Sequence, residues 1–228
     1  MSESTDDSGS PHRVGHRPGK FEVVTLALVL VAGFHAVPVW IMRLLPARSL
    51  YENLGPNGYG TLWDGLSMAM PLLLCLGAPI RSGLTLGMWR GRLPRILGVC
   101  LLPMILTAAI YPFTSQPFTD DRIGGWLLSP PAQDLLFSGY LYGLLHAAFV
   151  GQSDRPRHIN RAVFLTAAFF SLCHVPNFVG IAPGYVAFQL VYTFAFGAWI
   201  LLARTLTGSI LPVVATHMIA NFIAWKGW

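Results

Sequence analysis

Four side chains in the C-terminal half of this 228-residue chain bring acid, base and hydrogen-bonding chemistry into otherwise apolar surroundings. Asp134 is the only carboxylate well inside an apolar run; the other nine acidic residues lie in the N-terminal tail, in loops or near the ends of such runs. His174, His217 and Asn221 complete the set. His217 and Asn221 are four apart in THMIAN, so on a helix they stand one above the other and can address one ligand together. Phe170 and His174 are one turn apart in FFSLCH, with Pro176 ending the helix just beyond. Asp134 follows Ser-Pro-Pro at 129–131, a helix-opening signal, and Gly139 and Gly143 beyond it permit close approach of a neighbouring helix. A carboxylate with an imidazole can polarise a water, and an imidazole with a carboxamide can hold a developing oxyanion. Two histidines and a carboxylate, here Asp134, His174 and His217, also form an acceptable catalytic zinc set, so a metal-dependent version stays open beside a metal-free one.

The competing reading is a hydrogen-bonded packing network with no chemistry, and for His35 and His146 that is the expectation. Cys173 beside His174 invites a nucleophile pair, but adjacent residues on a helix point about 100° apart.

These residues need helices in a membrane to hold them. The chain is 54% hydrophobic and 11% charged, far from the roughly one-quarter charged of soluble domains, and the excess apolar content matches lipid contact. An ionisable group inside such a span costs roughly 2.5–3.5 kcal/mol on insertion scales, which makes the polar set a candidate for function. Seven apolar segments fall near 21–45, 62–80, 96–113, 124–150, 161–177, 179–203 and 209–225. The expected fold is therefore all-α: a polytopic membrane bundle of about seven helices, its last four forming a catalytic-type core. Prolines 38, 71, 103 and 212 within the runs predict kinks. The expected organisation is a disordered cytoplasmic tail over 1–20, supporting helices over 21–123 and the core over 124–228.

Eleven of the fifteen Lys and Arg residues fall on one side of an alternating bundle and four on the other. The positive-inside rule then places the N-terminus in the cytoplasm and the protein in a cell membrane, expected to be bacterial or archaeal. The same distribution explains the net charge of +5 by topology and excludes nucleic acid as a partner. Cys75, Cys100 and Cys173 lie inside apolar runs with no zinc or redox spacing. No inverted repeat suggests a transporter. Oligomeric state has no signal in the chain.

Three strings, SPPAQDLLFSGYLYGLL at 129–145, FFSLCHVPNF at 169–178 and GSILPVVATHMIANFI at 208–223, together resemble the CAAX prenyl protease and bacteriocin-processing family of intramembrane endopeptidases. The resemblance covers about residues 124–225 and rests on three motifs in order. The family's Phe-x-x-x-His corresponds to Phe170 and His174, and its His-x-x-x-Asn to His217 and Asn221. Its Glu-Glu-x-x-x-Arg motif differs: the two glutamates fall on Gln133 and Asp134, and the arginine on Ser138. The resemblance implies hydrolysis of a peptide presented in or at the bilayer, with Asp134 and His174 activating a water and His217 and Asn221 stabilising the oxyanion. Gln133, Ser138 and Phe170 would support the site. It implies no cofactor, with zinc as the alternative. Because an amide has no useful basicity, the replacement at Gln133 also motivates a second reading, a catalytically weakened relative that binds a membrane peptide or a partner protein.

Overall fold

The computed structural model describes residues 19–85, 93–110, 127–150 and 159–226, and among them every regular element is helical. Almost all of the expected tail, including Arg13 and Arg17, and the loop residues Arg90, Arg92, Arg122, Arg155 and Arg157 lie outside the described residues. The helices are α1 (Lys20–Leu44), α2 (Ala47–Gly77), α3 (Pro79–Ser82), α4 (Leu93–Ile110), α5 (Ser129–Asp134), α6 (Tyr142–Phe149), α7 (Arg161–Leu172), α8 (Pro183–Thr207) and α9 (Leu211–Lys226). A π-helical turn, Leu135–Leu141, joins α5 to α6, and a 3-10 turn, Val175–Phe178, follows α7. The protein is an all-α membrane bundle.

Two of these helices, α1 and α8, are 25 residues each and apolar enough to cross a bilayer; shorter apolar stretches cover Thr61–Gly77, Pro94–Ile110 and Leu211–Ala224. Their outward faces match lipid rather than water: Leu73, Val191, Trp40 and Val29 are all largely exposed. The interior is equally apolar. Val23 and Ala27 of α1, Leu136 and Phe137 of the π turn, Val163 of α7, Ile200 of α8 and Val213 of α9 share one buried cluster.

Local chemistry explains the breaks. α2 is interrupted at Gly55, whose φ of 68° is left-handed and suits glycine. α7 begins at an Asn160 N-cap, whose side chain accepts from the Val163 N–H at 3.2 Å. It stops at Leu172 because Pro176 lies in the next turn, so residues 173–182 form a connector and the boundary between the fifth and sixth apolar runs falls there. α8 ends on Gly208, at φ 71°.

Proline inside a span leaves a carbonyl without its donor. α1 and α4 each continue as one helix through Pro38 and Pro103. Pro103 has no N–H for the Val99 carbonyl one turn back, and the Trp199 indole of α8 donates to that oxygen at 2.9 Å instead. The π turn is served similarly: the Cys75 thiol donates to the Leu135 carbonyl at 3.0 Å.

Close approach happens where the glycines allow it. A Cβ on Gly143 would stand 2.4 Å from the Arg81 carbonyl oxygen, and one on Gly139 would stand 3.0 Å from Ile210 Cδ1 and 3.2 Å from Cys75 Sγ. Both glycines are contact points between the middle of the chain and α2, α3 and the start of α9.

Candidate active site

Asp134 closes α5 and is 1% exposed. Its Oδ1 accepts from the Ser138 hydroxyl at 3.2 Å, and its Oδ2 lies 3.1 Å from His217 Nδ1, across 83 residues of sequence. With the carboxylate ionised, Nδ1–H donates and His217 Nε2 is left for another partner. The π turn lies directly after Asp134, and it keeps Ser138 bonded to it while opening the helix, a distortion frequent at functional sites.

His174 is fixed from the other side. Its Nδ1 lies 3.0 Å from the Phe170 carbonyl oxygen, which can only accept, so the proton sits on Nδ1 and Nε2 carries a lone pair. The Phe170 ring stands edge-on to both imidazoles, with centroids 5.4 Å from His174 and 5.6 Å from His217 at 88° and 89°. One aromatic wedge therefore spaces the two bases. Gly197 of α8 makes room for it: a Cβ there would lie 2.9 Å from Phe170 Cδ1.

A cavity of about 340 Å³ opens beside these groups, lined among others by His174, His217, Asn221, Phe170 and Gln133. Asp134 and Ser138 sit behind it; Asp134 reaches it through His217. Gln133 is half-buried on the wall, its Nε2 donating to Ser129 Oγ at 3.2 Å. The structure thus gathers all seven residues singled out by sequence around one centre, with the carboxylate bonded to His217 rather than to His174. Among the described residues no three His, Cys, Asp or Glu side chains stand together as a metal-holding group.

Some of the wall was not singled out by sequence. His35 of α1, expected to be a packing residue, lines the cavity, and its Nε2 is buried without a hydrogen-bond partner. His146 stays out of it and rests against Tyr142 with centroids 5.6 Å apart. Cys173 Sγ comes within 3.4 Å of His174 Nδ1, closer than helical angles suggest, because α7 has ended. Thiol and imidazole both turn toward the Phe170 carbonyl, so Nδ1 is not available to take a proton from sulfur. The opposite wall is an aromatic ladder on α8, in which Phe188 stacks on Tyr192 and Tyr192 on Phe196, ending on His217 at 5.3 Å. Its signal was present in the sequence as aromatics at 185, 188, 192 and 196, a helical stripe.

Residues 121–223 match the family model described as type II CAAX prenyl endopeptidase Rce1-like, and this segment holds all three motifs. No curated protein and no solved structure matches the chain.

Proposed function

From the match of residues 121–223 to the Rce1-like family model of type II CAAX prenyl endopeptidases, we propose that the chain is an intramembrane endopeptidase in which His174 activates a water while Asn221 and His217, backed by Asp134, hold the oxyanion. The family is one of membrane-integral proteases acting on membrane-associated peptides, which supports a peptide substrate at the bilayer. The observation that carries the reading is the Asp134–His217 bond at 3.1 Å, which joins the first and third motifs beside the His174 of the second.

The proposed steps follow from the nitrogen assignments. A water at His174 Nε2 loses its proton there as its oxygen attacks the scissile carbonyl. The new tetrahedral oxygen accepts hydrogen bonds from Asn221 and from a protonated His217, whose cation Asp134 stabilises from behind. His174 then returns its proton to the leaving amine. Asp134 works through His217 rather than as the direct base, and Gln133 has no basicity to contribute.

The test is a substitution series in membranes. Asp134→Asn, His174→Ala and His217→Ala should each lower processing of a candidate substrate by about 100-fold or more at unchanged protein level. Full processing in all three variants would overturn the reading. Zinc-restored activity after treatment with a strong chelator would replace the metal-free scheme with the metal-dependent one. The second reading, a weakened relative that binds a peptide or partner protein, is favoured by Gln133 and Ser138 standing where the family pattern has Glu and Arg.

A further inference from the structure

The two ends of the bundle differ in a way that bears on where substrate comes from. At one end the start of α1 meets the end of α6, with Lys20 Nζ 5.7 Å from the Phe149 ring centroid. At the same end Gly143 abuts the Arg81 carbonyl, Arg204 Nη2 donates to that carbonyl at 3.0 Å, and the Ile210 N–H donates to the Gly83 carbonyl at 3.0 Å. Among the described residues Lys20, Arg81, Arg95, Arg161 and Arg204 belong to this end, the side to which alternation of the apolar runs in the sequence assigns eleven of the fifteen Lys and Arg residues.

The cavity lies at the other end. α8 lines it with Tyr185 through Phe196, its first half, while Arg204 is in its last turn. α9 starts at the arginine end and contributes His217 and Asn221, about 9 and 15 Å along the helix at about 1.5 Å per residue. Ser129 at the start of α5, His174 after the end of α7 and Ile110 at the end of α4 complete that side. Every helix that supplies a wall residue supplies it from the half away from the arginines or from its middle. Among the described residues Arg43, Arg48 and Lys226 belong to the cavity end, the side to which the same alternation assigns four Lys and Arg residues.

Because positively charged segments stay in the cytoplasm, we propose that the cavity opens toward the extracytoplasmic side, and that the substrate class is translocated polypeptide: exported chains or peptides anchored in the outer leaflet. The word substrate rests on the protease reading above; the sidedness does not. A cytoplasmic polypeptide would have to cross the bilayer before reaching His174 and His217.

Two experiments separate the two claims. Val179→Cys, in an 89% exposed position two residues beyond Asn177 of the cavity wall, and Tyr185→Cys, on that wall, report on one end; Ile159→Cys, 59% exposed before α7, reports on the other. Each is reacted with a membrane-impermeant maleimide in right-side-out and in inverted vesicles, with the parent chain and its three cysteines as background. We expect at least tenfold more labelling of Val179→Cys or Tyr185→Cys in right-side-out vesicles, and the reverse for Ile159→Cys. Ile159→Cys labelled from the right-side-out face, or equal labelling of any variant from both, overturns the sidedness. New protein N-termini are then compared between cells carrying the wild-type chain and cells carrying Asp134→Asn. Wild-type-dependent termini on exported proteins support the proposal, and termini confined to cytoplasmic proteins overturn it. Identical termini in the two strains overturn the protease reading and leave the labelling result standing.

Discussion

At the scale of single residues, the site depends on which nitrogen of each imidazole carries the proton. The carbonyl of Phe170 assigns Nδ1–H to His174, leaving its Nε2 a lone pair for the water's proton, while the carboxylate of Asp134 takes the Nδ1–H of His217, so that in the proposed imidazolium Nε2–H is the oxyanion donor. His174→Gln keeps a polar side chain but offers no base, and it should lose processing to the level of His174→Ala in a product-release assay. Gln133→Glu is the opposite probe. Its side chain already lies on the cavity wall, so a carboxylate there would be a second base, and we expect processing to rise above wild type. An unchanged rate would mean that the wall at 133 does not meet the reacting water. His35 has a buried Nε2 without a partner on the same wall. His35→Phe fills the space without a polar atom and should raise KM for peptide more than it lowers kcat.

At the scale of elements, helix contacts decide what can be changed. The Gly143 position faces backbone, the Arg81 carbonyl, which cannot move aside as a side chain can. Gly143→Ala should therefore cost about 1–3 kcal/mol of stability, read as a lower Tm in detergent. Gly197→Ala presses instead on the edge of Phe170, the ring that spaces His174 and His217. Its expected signature is a larger loss of activity than of Tm. Trp199→Phe keeps an aromatic ring but leaves the Val99 carbonyl without a donor where lipid offers none. About 1–3 kcal/mol is expected for an acceptor left unsatisfied away from water, again as a lower Tm. The proline positions in the sequence pointed to kinks; that a tryptophan on another helix serves the carbonyl freed by Pro103 depends on packing.

At the scale of the whole molecule, the matched segment does not stand apart from the helices before it. α1 contributes Val23, Ala27 and Phe34 to the same buried cluster as Phe137, Phe170 and Val213, and Cys75 of α2 holds the π turn through Leu135. A chain beginning at residue 111 should consequently fail to give the cooperative thermal unfolding of the full chain in detergent. Amino-acid sequence alone determined the membrane class, the helical fold, the family motifs and the pairings along one helix, because composition and a 3.6-residue period are local properties of the chain. Tertiary structure decided the rest: that Asp134 bonds His217 across 83 residues, that Phe170 wedges two imidazoles apart, that His35 joins the wall, and that the cavity lies away from the paired Arg81 and Arg204. Those relations join different helices, and helix period says which residues share a face but not which face meets which.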